Sequence, residues 1–89
     1  MTLYWHGQNS LGIDSGDNSL VVDPLDVEKE LKSAKAANVV LLSLPEAVKL
    51  PAKTESFVIN NPGEYDVKGF FIFGLGDFSG GIAYTIEAE

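Results

Sequence analysis

Four side chains stand out as groups that could do chemistry: His6, Asp23, Glu46 and Glu64. His6 is the only imidazole in the chain, and imidazole is both the commonest metal ligand and the side chain that titrates near neutral pH. A zinc site, however, takes three or four protein ligands with nitrogen or sulfur predominating, and one imidazole among scattered carboxylates does not supply them. A hydrogen-bonded ring at a strand end is the plainer reading of His6. Asp23, followed by Pro24, is placed to cap a helix. Glu46 is a carboxylate able to bind a cation, with Lys49 near it to oppose one. Glu64 and Asp66 form an acid/base pair only if the fold brings them together; a solvated hairpin is the simpler account. Asp14 and Asp17 beside Gly16 hint at calcium but lack the alternating oxygen ligands of a calcium loop. Ser10 and Ser43 have no nucleophile-elbow context. Residues 74–81, Gly-Leu-Gly-Asp-Phe-Ser-Gly-Gly, lack the lysine and the following helix of a phosphate loop and read as a hairpin connection.

The elements that must position these groups are short. Residues 2–6, 10–14 and 19–23 alternate apolar and polar positions as strands do, with Gly7-Gln8-Asn9 and Ser15-Gly16-Asp17-Asn18 as turns between them. They predict an antiparallel meander. One helix follows, starting at Asp23-Pro24 or at Asp26. Val27, Leu31 and Ala34 form its apolar stripe, Glu28 and Lys32 pair across one turn, and Asn38 is its stop. Val39-Val40-Leu41-Leu42 has the continuous apolar character of a strand covered on both faces. Residues 43–53 connect, with one helical turn placed at 46–50. Strands follow at 57–60, 65–68 and 70–73, with a type II turn at Asn61-Pro62-Gly63-Glu64, and a last strand at 81–87. Phe70-Phe71-Ile72-Phe73 also demands cover on both faces. With only one helix available, either the sheet folds back on itself or a partner chain supplies a second sheet. The expectation is the partner.

Composition excludes several classes. Eighty-nine residues make one domain, 1–89, at 45% hydrophobic and 21% charged, which argues against disorder. Net charge is −7, the six positive residues are all Lys, and Arg is absent; nucleic acid and anionic membrane are therefore not expected partners. Lys29, Lys32 and Lys35 share their predicted helix with Glu28 and Glu30 and read as a solvated face. There is no cysteine, which removes disulfides and thiolate metal sites and fits a reducing compartment. No apolar stretch approaches the ~20 residues of a membrane span, and the first residues carry no basic leader, so the chain reads as cytoplasmic.

Taken in order, the strand–glycine turn–strand opening, Leu20-Val21-Val22-Asp23-Pro24, the helix, and Val40-Leu41-Leu42-Ser43 resemble the start of metallo-β-lactamase-fold hydrolases. The likeness is to the branch that includes the ascorbate-6-phosphate lactonase-like proteins. Asn61-Pro62-Gly63-Glu64-Tyr65-Asp66-Val67-Lys68-Gly69 and Gly81-Ile82-Ala83-Tyr84-Thr85-Ile86-Glu87 look like later segments of that branch. The resemblance implies an α+β fold: the β-rich, N-terminal half of an αββα sandwich, a mixed sheet with one main helix. It also implies a second role for Asp23, as a carboxylate supporting a metal site. The family's ligand signature, His-x-His-x-Asp-His, clusters imidazole and carboxylate around cations that activate water. Laid on this chain from Ser43, it falls on Leu44, Glu46, Val48 and Lys49, none of them histidine. Gln8 follows Gly7 where the family carries another histidine, and none occurs between Leu75 and Ser79.

The expected function is therefore a non-catalytic, metal-free module acting in homo-oligomer assembly or in binding a small ligand or protein, with no cofactor. The expected partner is a second copy, joined through the inner sheet face and rebuilding the sandwich. The alternative is a metal-dependent hydrolase whose site is assembled across a dimer, from two copies of His6, Asp23 and Glu46, or with a partner chain.

Overall fold

The structure is a computed structural model that describes residues 2–7, 10–24, 37–45, 56–77 and 80–88, with backbone alone for 2–7. Eight strands run in chain order: β1 Thr2–Gly7, β2 Ser10–Ser15, β3 Asn18–Val22, β4 Val39–Leu41, β5 Phe57–Ile59, β6 Gly63–Val67, β7 Phe70–Gly76 and β8 Ile82–Ala88. They make two sheets. The first has the order β1-β2-β3-β4-β5 and the second β6-β7-β8.

The expected meander is present. β1 pairs antiparallel with β2, and β2 with β3, through Leu11↔Val22, Ile13↔Leu20 and Ser15↔Asn18. Gly16 takes the left-handed conformation the β2–β3 turn requires (φ 60). β3, β4 and β5 are then parallel, with Val22↔Leu41 and Leu41↔Ile59 in register, so the first sheet is mixed. Parallel neighbours need crossovers of about a dozen residues or more, which is why β3 and β4 are each followed by a long connection, whereas β5 leads into β6 after three residues. Asn38, expected to stop a helix, accepts a hydrogen bond from Ser19 N at 2.8 Å and so brackets β3 against the start of β4.

The expected fold class is corrected. Among the described residues there is no α-helix, and the strands form two sheets rather than one. Residues 25–36, which carry most of the predicted helix, lie outside the described residues, as does the helical turn placed at 46–50. The second sheet is the chain's own. Ile13, Leu20, Val39, Leu41 and Ile59 on the inner face of the first sheet form one core with Phe70 and Ile72 of β7. Tyr65, Val67, Tyr84, Ile86 and Ala88 pack onto it. The inner face therefore packs against β6–β8 of this same chain, the fold-back alternative, and the argument that a second copy must cover it no longer applies.

The two apolar runs also differ. Val39 to Leu42 is buried on both sides: Val39 and Leu41 face the main core, while Val40 and Leu42 join Ala37, Val21 and Val58 in a second cluster. Phe70 to Phe73 is one-sided, because Phe70 and Ile72 point inward while Phe71 and Phe73 stand 46% and 44% exposed. The hairpin that carries this run also turns differently from expectation. β6 begins at Gly63 (φ 146), and β6 joins β7 through Lys68 and Gly69, both at positive φ (53 and 80). Two consecutive positive-φ residues are the mark of a tight type I′ hairpin, whose twist matches that of the strands.

Candidate functional site

Asp23 leaves the end of β3 with φ 51, its N–H donating to Leu41 O at 2.8 Å. That conformation turns its carboxylate toward the end of β4. Oδ1 accepts from Ser43 N at 2.8 Å and Oδ2 accepts from Ser43 Oγ at 2.5 Å. Ser43 O in turn accepts from Ile82 N at 2.7 Å, so one residue joins the two sheets. The helix that Asp23 was expected to cap lies outside the described residues. A cap residue ordinarily sits in the β region, whereas Asp23 is left-handed, and each of its carboxylate oxygens accepts from Ser43.

Tyr84 closes the cluster from β8. Its hydroxyl donates to Leu42 O at 2.8 Å and lies 3.3 Å from Ile59 O, across the ends of β4 and β5. Burial, then the neighbouring Tyr65, then the Asp23 carboxylate push its hydroxyl up to about 12, against a smaller lowering by the bond to Leu42. The phenol therefore stays protonated through the physiological range. Beside this cluster, at the same end of the parallel strands, an open cleft of about 360 Å³ is bounded by Pro45, Asn60, Asn61, Pro62, Asp77 and Gly81. Gly76 shares its wall, and a Cβ there would come within 2.8 Å of Pro62 Cγ. Clefts outside the carboxyl ends of parallel strands are where ligands bind in open α/β sheets. This one offers carboxamides from Asn60 and Asn61, while the Asp77 carboxylate accepts from Gly81 N at 2.8 Å.

Residues 2–80 match the family model described as the β-lactamase superfamily domain. The chain belongs to this superfamily. Among solved structures it is similar to a Thermotoga maritima protein of the metallo-β-lactamase superfamily, described as a candidate zinc-dependent hydrolase. The TM-score is 0.71 at 29% identity, over 98% of this chain and 43% of that one. This chain thus spans less than half the length of that protein. No curated protein matches.

The superfamily implies a metal centre at the end of β4, which the residues can be tested against. Leu44 stands at the first ligand position, 55% exposed, and a hydrocarbon cannot ligate. Glu46, Val48, Lys49 and Gln8 lie outside the described residues. At the later ligand position, Leu75 and Gly76 offer no donor, and Asp77 is turned into its own loop. Among the described residues, no three His, Cys, Asp or Glu side chains converge. The donor set that is described does not fit a metal ion.

Of the four candidates named from sequence, the structure places one in the cluster. Asp23 is in it. Glu64 is exposed on β6, facing away from the core, with Asp66 two residues on along the same face. His6 lies in β1, with its side chain outside the description, and Glu46 is outside it altogether. Sequence reasoning missed Ser43 and Tyr84 as partners of Asp23. The signal was present in part: Asp23 and Ser43 each follow the last residues of a buried apolar run, and parallel pairing of those runs sets their ends side by side. Nothing local marks Tyr84 beyond its alternation with Ile82 and Ile86.

Proposed function

We propose that this chain is a non-catalytic, metal-free metallo-β-lactamase-like module whose role is to bind a protein or small ligand. The single observation behind the reading is Leu44, an exposed hydrocarbon at the position where the superfamily's chemistry begins. Around it the supporting frame is retained: the Asp23 carboxylate still fixes the strand end, but it does so through Ser43. A frame kept for shape without donors suits recognition better than hydrolysis. The finer likeness to the ascorbate-6-phosphate lactonase-like branch, carried by Asp23-Pro24 and by residues 61–69, belongs to this reading, as does a cytoplasmic location. Among the described residues, no helix is long and apolar enough to cross a membrane.

The test is elemental analysis of the protein purified without chelators from medium supplemented with zinc, iron and manganese, with the mass of the particle in solution measured alongside. The reading expects less than about one-tenth of an equivalent of any transition metal, since a built structural or catalytic site holds its ion near stoichiometry. One ion per chain, lost in His6→Ala, would overturn it. A second reading is a hydrolase completed by another chain, supported by the 43% coverage of the Thermotoga maritima protein. It requires metal to appear only in a complex, and copurification with a metal-bearing partner favours it.

A further inference from the structure

The outward face of β6–β8 carries three of the five large hydrophobics that stand exposed among the described residues. Phe71, Phe73 and Leu75 are successive outward positions of β7, exposed by 46%, 44% and 63%. At about 3.3 Å per residue they form a ridge roughly 13 Å long. The registers set a carboxylate beside each ring. Phe71 lies between Asp66 and Glu87, and Phe73 lies between Glu64 and Thr85. Directly opposed side chains on one face are about 5 Å apart at Cβ, so the acids flank the rings rather than lie elsewhere on the sheet. An open groove of about 520 Å³ runs along these residues. None of the three strands contains Lys or Arg.

Deepening the binding reading above, and resting on it, we propose that this face docks a basic amphipathic segment of another protein, with apolar side chains laid on Phe71, Phe73 and Leu75 and Lys or Arg side chains directed at Glu64, Asp66 and Glu87. Charge selects this occupant. A second copy meeting the face about a two-fold axis would bring six carboxylates into one contact, offset there only by the Lys68 of each β6–β7 turn, because the same patch is used on both sides, and like charges crowded across an interface oppose association. A neutral apolar partner would strip water from the acids without pairing them. A partner carrying Lys or Arg pairs them, and its cations also lie over ring faces, where the aromatic quadrupole attracts positive charge. Ridge and flanking acids together ask for a ligand that is linear, apolar and cationic.

The experiment titrates the full chain with a synthetic peptide alternating leucine and lysine, following backbone amide shifts by NMR. Two control peptides carry Glu in place of Lys, or Ser in place of Leu. Expected are shifts concentrated in β6–β8, binding that weakens as salt rises, and no binding of either control. The combined variant Glu64→Gln/Asp66→Asn/Glu87→Gln should weaken binding at least about tenfold, as should Phe71→Ser/Phe73→Ser. Asp17→Asn/Glu28→Gln/Glu30→Gln, which removes as many charges from outside β6–β8, should leave binding within about twofold. The charge variant changes only exposed side chains, so it remains decisive if the Phe variant fails to fold. Shifts outside β6–β8, equal binding of either control, equal loss in both charge variants, or a dimer whose dissociation shifts these same amides would each overturn the proposal. These results are separate from metal analysis: a metal-free protein that ignores the peptide sinks this inference and leaves the module reading standing.

Discussion

Replacing Asp23 should cost more stability than any other exposed or half-buried carboxylate among the described residues. In Asp23→Ala, Ser43 N and Ser43 Oγ both lose their acceptor. Hydrogen bonds to charged groups contribute about 1.5–3 kcal/mol each. The site is half-buried, so water partly replaces the carboxylate, and the lower end applies: about 3 kcal/mol for the two. The left-handed backbone at φ 51 adds about 1 kcal/mol for alanine, whose Cβ crowds the carbonyl there. The expected loss is therefore about 4 kcal/mol, a large share of the roughly 5–15 kcal/mol that holds a domain together. Asp23→Asn separates the causes. Asparagine tolerates positive φ and its Oδ1 accepts from Ser43 N, while the serine hydroxyl can reverse to accept from the amide. Only the charge assistance goes, about 1 kcal/mol. Ser43→Ala completes a double-mutant cycle with an expected coupling of about 1–2 kcal/mol. Urea unfolding followed by circular dichroism and by fluorescence of Trp5, the only tryptophan, measures all of these. If Asp23→Ala lost less than about 1 kcal/mol, or Asp23→Asn lost as much as Asp23→Ala, the carboxylate clamp would not be what holds the strand ends.

Three further outcomes follow from the same geometry. Tyr84 has its pKa raised from 10.0 to about 12, so above pH 10 the unfolded chain loses this proton first. Stability is then full below about pH 10 and falls as pH rises toward 12; Tyr84→Phe should flatten that part of the urea-midpoint profile, at a cost of about 1 kcal/mol at neutral pH for the lost bond to Leu42. Gly76→Ala puts a Cβ 2.8 Å from Pro62 Cγ, and thermal unfolding should show a loss of about 1–3 kcal/mol from overpacking. Phe70 and Phe71 are adjacent but face opposite ways, so Phe70→Ala should lose about 3–5 kcal/mol while Phe71→Ala loses well under half of that. Equal losses at the two positions would refute the assignment of faces.

The sequence alone was enough for the local structure of the strands and for the superfamily. Alternation and turn residues over residues 2–23 specify a meander, because pairing between neighbours in sequence needs only strand period and tight turns. The unbroken run Val39 to Leu42 announces a strand buried on both faces, and the hydrocarbon at Leu44 is visible before any coordinate is known. Tertiary structure decided the rest, because periodicity reports that a strand has two faces but not what covers each. Phe70 to Phe73 has the same apolar content as Val39 to Leu42, yet one side of it stays open, since the β6–β8 sheet lies over the inner face of the first sheet and only Phe70 and Ile72 reach that core. The partner of Asp23 was equally hidden. Ser43 is 20 residues further along, and only parallel pairing of β3 with β4 brings the two strand ends within hydrogen-bonding distance, where a carboxylate that read as a helix cap becomes the clamp between strands.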